Sequence, residues 1–197
     1  MQQLISKNDL ASLDIILGPM YAGKTTELIR RLNIFSLMGF KCLFINSSLD
    51  NRSIEDFSTH NPSIKKMSKN IDSMKIDQFN NKVFDRIKLY DIIAIDETQL
   101  FKNLKDNVIH IVEILNKKVI ISGLNGDFQR NKFGEIIDLI PICDNIDKLS
   151  PFCLLCCQNN NIIKPALFSK RISKETETIS IGGSDKYVPV CRKCFHN

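Results

Sequence analysis

The sequence predicts an α/β fold, a parallel sheet with helices on both faces followed by a small cysteine-rich lobe. Three observations predict it. Short apolar runs at Leu13–Leu17, Lys41–Ile45, Leu89–Ile95 and Lys118–Ser122 lack strict polar alternation, as strands buried on both faces do. Helical spacing follows the first and third of these runs, which is the βαβ order of a parallel sheet. Five of the seven cysteines crowd together beyond residue 150. One domain is therefore expected over residues 1–149 and a second over 150–197.

The first strand, Leu13–Leu17, runs directly into Gly18, Pro19, Met20, Tyr21, Ala22, Gly23, Lys24 and Thr25. This G-x-x-x-x-G-K-T pattern between a strand and a helix is a phosphate loop (P-loop), a turn whose backbone N–H groups wrap a phosphate chain. Gly18 and Gly23 let the backbone approach closely, Lys24 reaches the outer phosphates, and the Thr25 hydroxyl suits Mg²⁺. The helix that follows is expected over Thr26–Met38, with Leu28, Ile29, Leu32 and Phe35 on one face and Gly39 as its stop. It presents its positive end to the anion. Lys41–Ile45 is the second strand. Residues 46–82 are polar, with Asn-Pro at 61–62, and read as loops with weak structure.

Leu89–Ile95 reads as a strand ending on Asp96-Glu97, and a helix is expected over Leu100–Leu115 through Leu104, Val108, Ile111 and Leu115. Lys118–Ser122 then enters Gly123-Leu124-Asn125-Gly126. Ligands of such sheets sit beyond the carboxyl ends of the strands, which would gather Thr25, Asp96 and the loop after Ser122. Asp96 stands where a P-loop protein keeps its second Mg²⁺-coordinating group. Glu97 would point the opposite way along an extended chain. There it would either deprotonate an attacking hydroxyl or activate water, the latter making an ATPase. Asp50-Asn51-Arg52 follows a strand end; Arg52 suits transferring-phosphate charge, and the plainer reading is a solvated loop. Phe101, Phe128 and Phe133 suit either stacking on a base or the core.

Cys153-Leu-Leu-Cys156 and Cys191-Arg-Lys-Cys194 are two C-x-x-C pairs, and together they complete a tetrahedral Zn²⁺ site. The intervening segment is poor in apolar residues, so metal would supply the energy to fold it. Cys157 is the alternative to Cys156, and the two-residue spacing favours Cys156. His196 reads as a surface tail residue. The net charge of +5 is spread among acids, which does not point to nucleic acid. No apolar run approaches the roughly 18 residues of a membrane span, and the N-terminus lacks the apolar core of a signal peptide. A cytoplasmic place is expected.

Taken in order, GPMYAGKT, LDNRS, IDETQLF, GLNGDFQRNKFG, CLLC, IGGSDKY and CRKC resemble the cellular-type, zinc-containing thymidine kinases over nearly the whole chain. The resemblance implies ATP-dependent phosphoryl transfer to the 5′-hydroxyl of thymidine or deoxyuridine. It implies that Gly18–Thr25, Asp50, Asn51, Arg52, Asp96, Glu97, Thr98 and Gln99 serve the donor phosphates and Mg²⁺, with Glu97, Lys24 and Arg52 catalytic. Met20, Phe101, Leu124, Phe128 and Phe133 would enclose thymine. Thr178, Ile179, Ser180, Ile181 and Gly182, with Tyr187, would form a lasso over the base, pinned by zinc on Cys153, Cys156, Cys191 and Cys194. A homotetramer and feedback inhibition by thymidine triphosphate are also implied. Leu100 and Ser169 depart from the usual phenylalanine and threonine of that family. Two rivals stand beside this reading: a P-loop ATPase or GTPase switch, although no N-K-x-D guanine motif is visible, and a zinc-ribbon nucleic-acid module using the basic cluster Lys170, Arg171 and Lys174.

Overall fold

The structure, a computed structural model, describes residues 10–50, 70–173, 182–183 and 185–196. Its elements are β1 (Ser12–Leu17), α1 (Lys24–Leu37), β2 (Cys42–Ser47), β3 (Ile71–Ile76), α2 (Asn81–Ile87), β4 (Ile92–Ile95), α3 (Leu104–Ile109), β5 (Lys118–Gly123) and β6 (Asn145–Lys148). The C-terminal lobe adds α4 (Leu154–Asn160), β7 (Phe168–Arg171), β8 (Tyr187–Val190) and α5 (Arg192–His196). Among the described residues no helix is long and apolar enough to cross a membrane.

Six strands form one parallel sheet in the order β3-β2-β4-β5-β1-β6. Side-chain alternation splits the core into two layers. Leu13, Ile15, Leu43, Ile45, Ile93, Ile95, Val119 and Ile121 face α2, α3 and the 136–142 turns. Ile16, Phe44, Ile92, Ala94 and Ile120 face Leu28, Ile29 and Leu32 of α1. Helices therefore cover both faces, as the apolar runs predicted. Burying both faces is what makes these central strands apolar throughout, and β5 is buried at every residue.

The described part of 46–82 departs from the expected loops. Its end holds β3, and α2 begins within it. The strand Ile-Asp-Ser-Met-Lys-Ile hides its two ends and leaves Asp72 wet, because among the described residues it pairs with β2 alone, at the sheet edge. The helix α2 opens on Asn80, whose side chain accepts the Val83 N–H at 3.1 Å. The helix expected over 100–115 is broken. Thr98–Leu100 form a 3₁₀ turn, α3 starts only at Leu104 after left-handed Asn103, and His110–Ile114 relax into a π turn. The strand expected from Leu89 starts at Ile92, Leu89 being 62% exposed in the preceding turn. β6 was not expected at all. It is a mostly exposed edge strand whose pattern carries no core signal.

In the C-terminal lobe β7 and β8 pair antiparallel, and Cys153, Cys156, Ala166, Val188, Val190 and Cys191 form a third, small cluster.

Candidate functional site

The phosphate loop leaves β1 at its carboxyl end. A Cβ on Gly18 would lie 2.5 Å from the Leu149 carbonyl oxygen, so the residue after β6 presses against the turn and only glycine fits. Gly23, at φ 79, caps α1 in the left-handed region. Lys24 is buried and folds back over the turn, its Nζ donating to the Pro19 carbonyl at 3.0 Å. Pro19, Tyr21 and Ala22 complete the turn through Ala22 N–H to the Pro19 carbonyl, with Tyr21 at φ 66.

Thr25 Oγ1 donates to Asp96 Oδ2 at 2.7 Å, joining α1 to the end of β4. Ser122, the next-to-last residue of β5, donates its hydroxyl to Asp96 Oδ1. Three neighbouring elements thus converge on one carboxylate that is 2% exposed. Burial pushes the Asp96 carboxyl up, to about 6, and the Glu97 charge adds to this. The Ser122 and Thr25 hydroxyls and the Glu97 N–H oppose it. A divalent cation placed here would reverse that balance and hold the carboxylate ionised. Thr25 and Asp96 are hard oxygen donors beside a phosphate cradle, a set that fits Mg²⁺.

Glu97 is not extended. At φ 49 it is left-handed, a strained state for a residue with a side chain, and it turns the chain off β4 at once. Its Oε2 accepts the Gln99 side-chain N–H at 2.5 Å, and the same amide's oxygen accepts the Leu124 N–H at 3.1 Å. One side chain therefore ties the Glu97 carboxylate to the loop after β5. Thr98 Oγ1 donates to the Ser122 carbonyl at 2.9 Å. Gly134, at φ 66, passes so close that a Cβ would lie 2.7 Å from Gln99 Cα. Asp50 is buried beneath β2, accepting Asn46 Nδ2 at 3.2 Å, while Lys75 of β3 reaches its carbonyl at 3.4 Å. Asn51 and Arg52 lie outside the described residues, as do Thr178, Ile179, Ser180 and Ile181.

The loop 124–134 meets the C-terminal lobe. Phe128 lies under the Arg171 guanidinium, 3.7 Å from ring centroid to Cζ, and Arg171 donates to the Tyr187 hydroxyl at 2.5 and 3.2 Å. Met20 N–H donates to Ser169 Oγ at 2.9 Å, so the phosphate loop touches β7 directly. Leu124 and Phe133 are half-buried on the same loop. Phe101 stands apart: it is 3% exposed in the sheet core, 5.4 Å from the Phe79 ring. Gly182 packs on Lys186, where a Cβ would come within 2.5 Å of Cδ.

The four paired cysteines converge. The Cys153, Cys156, Cys191 and Cys194 sulfurs all lie within 4.8 Å of one another. Cys156 Sγ is 3.7 Å from Cys191 Sγ and 3.6 Å from Cys194 Sγ. A tetrahedral zinc with sulfurs at about 2.3 Å requires edges of about 3.8 Å, close to the two from Cys156 to Cys191 and Cys194. The Cys194 N–H holds the Cys191 thiol below its usual range, while the hydrogen bond with Cys194 pushes the Cys156 thiol up, so Cys191 ionises ahead of Cys156. Cys157 is exposed and outside the cluster. Lys170 donates to the Cys194 carbonyl at 3.0 Å. With Arg171 laid on Phe128 and bonded to Tyr187, two of the three cations in the basic cluster are committed to contacts within the molecule, and Lys174 lies outside the described residues.

Sequence reasoning missed Ser122, Asp127 and Arg130. Ser122 left one trace, a polar residue near the end of an apolar strand. Asp127 accepts the Gln129 and Asn131 N–H groups at 2.9 and 2.8 Å, an Asx-type turn that Asp-x-x-Arg-Asn only suggests. The roles of the two arginines in the stacks depend on partners far away in sequence.

A family model described as thymidine kinase matches residues 11–195. Similar proteins include the thymidine kinase of Choristoneura fumiferana entomopoxvirus, 42% identical over 94% of this chain and 96% of its own length. The thymidine kinase of Oryza sativa subsp. japonica is 37% identical over 93% and 65%, and that of vaccinia virus (strain Ankara) 36% over 93% and 96%. The matched span begins before the phosphate loop and ends after the last clustered cysteine, so the whole site lies within it. The chain belongs to the thymidine kinase family.

Proposed function

We propose that the protein transfers the γ-phosphate of ATP to the 5′-hydroxyl of thymidine, and of deoxyuridine, in nucleotide salvage. The observation that carries this reading is the junction at Asp96 and Glu97. A phosphate-loop threonine is bonded to one carboxylate, while the next carboxylate is held by an amide that also holds the nucleoside-side loop. Phosphoryl transfer needs positioning and charge stabilisation more than covalent chemistry. The loop Gly18–Thr25 binds the donor phosphates, and Lys24 swings from the Pro19 carbonyl to the outer phosphates. Thr25 and Asp96 would hold Mg²⁺, which would supply neutralising positive charge for the donor phosphates. Glu97 takes the 5′-hydroxyl proton, with Gln99 orienting its carboxylate. Asp50, Asn51, Arg52 and Thr98 complete the phosphate end, with Arg52 supplying positive charge.

Thymine sits among Met20, Leu124, Phe128 and Phe133, under a lasso of Thr178–Gly182 with Tyr187; Phe101 is left to the core, where it packs on Phe79. Zinc on the four cysteines pins the lasso in a lobe over 150–197, distinct from the sheet domain over 1–149. Thymidine triphosphate as feedback inhibitor, a homotetramer and a cytoplasmic place belong to the same reading. The test is ADP release with MgATP, with and without thymidine, deoxyuridine or deoxycytidine. Release that depends on thymidine or deoxyuridine, with the monophosphate formed, supports the proposal. Release indifferent to any nucleoside overturns it in favour of an ATPase.

A further inference from the structure

We propose that Arg130 is a positioning residue that makes the order of the nucleoside-side loop depend on the cysteine lobe. The inference rests on the reading of loop 124–134 as the thymine wall and of the lobe as a zinc centre. Arg130 leaves the tip of the 127–131 turn, whose ends are closed by Asp127 N–H to the Asn131 carbonyl at 3.0 Å and by the Asp127 carboxylate. Its guanidinium lies 4.6 Å from the Phe195 ring centroid and 5.7 Å from that of Phe168, and Nη1 is 3.4 Å from His196 Nε2. Phe195 follows the ligand Cys194 directly, and Phe168 opens β7, with the two rings 5.2 Å apart. A short path thus runs from a metal-ligand cysteine through a ring and a guanidinium into the loop that carries Leu124, Phe128 and Phe133.

The backbone supports the same assignment. Arg130 sits at φ 71, a left-handed state that strains a residue with a side chain and persists where surrounding contacts over-determine it. Phe195, Phe168 and His196 of the lobe supply such contacts, beside the hydrogen bonds that close the 127–131 turn itself. The reciprocal stack of Arg171 on Phe128 comes from the lobe side, so the loop is held from both directions.

The strain makes the proposal testable, because Arg130→Gly relieves it while removing the side chain. Amide hydrogen exchange on the full-length protein reads the loop without relying on activity. In the wild type, zinc chelation should speed exchange at 124–134 relative to the sheet strands. Arg130→Ala and Arg130→Gly should already exchange about fivefold faster there, and chelation should add little, a change equivalent to about 1 kcal/mol for a partly exposed cation–ring contact. Arg130→Lys should recover part of the protection. Kinetically, both deletions should raise the thymidine KM about fivefold with the ATP KM and zinc content unchanged. Unchanged exchange in both deletions, or wild-type protection in Arg130→Gly, overturns the proposal. Should the wild type fail to phosphorylate thymidine, the functional reading falls while the exchange result still decides the coupling.

Discussion

The carboxyl end of the sheet and the cysteine lobe hold their functional groups in place by different means. At the sheet end, position comes from packing: Asp96 and Ser122 stand at the ends of strands buried on both faces, and hydroxyl–carboxylate bonds only finish the geometry. The lobe has a small cluster of six buried residues, of which three, Ala166, Val188 and Val190, are apolar and the other three are cysteines of its sulfur centre. Position there comes from four converging sulfurs and from cations laid on aromatic rings. The two regions should therefore fail differently: the sheet end should lose chemistry or global stability, and the lobe should lose nucleoside binding.

The largest effect expected is at the sheet end. Glu97→Gln should bind both substrates yet lower kcat by about 10²–10⁴, as measured by steady-state kinetics with direct binding assays; near-normal turnover would remove Glu97 as base. Next, Leu28→Ala in the α1 layer should cost about 2–5 kcal/mol in urea unfolding while leaving both KM values unchanged below the transition. Loss of thymidine affinity in that variant would blur the distinction between the regions. Cys191→Ser should drop bound zinc, read by atomic absorption, and raise the thymidine KM by roughly tenfold or more, with far-UV dichroism of the sheet domain retained.

The smallest effect concerns Glu27 at the start of α1, whose carboxyl is held down to about 2 by Arg30 and Arg31. Its folded value lies below its unfolded one, so its contribution is present above about 4.5 and fades as pH falls towards 2. Glu27→Gln should cost about 1 kcal/mol at pH 7, since Arg30 is exposed while Glu27 and Arg31 are only partly buried, and the gap should narrow by pH 3.

What was legible in the sequence follows the same division. β1, β2 and β5 show as apolar runs because burial on both faces requires it, and α1 because its stripe meets the sheet. The phosphate loop and the cysteine pairs are legible because their chemistry is set by local spacing. β3 and β6 were not, since an edge strand with wet residues leaves no such run. Gln99 was seen beside Glu97, but its second bond, to Leu124, spans 25 residues and has no local signature. Arg130 was invisible for the same reason, its ring partners lying in the other lobe.

The polarity that hid the two outer strands also matters for the molecule among its neighbours. Parallel sheets end in open rows of N–H and C=O groups that can recruit another chain's strand. Here β3 presents Asp72 and Lys75 along its length, and β6 carries Asn145, Asp147 and Lys148, with Asp147 further occupied by Arg31. Short, charged borders of this kind resist edge-to-edge growth, so the apolar interior can be dense without making the chain prone to fibrous self-association.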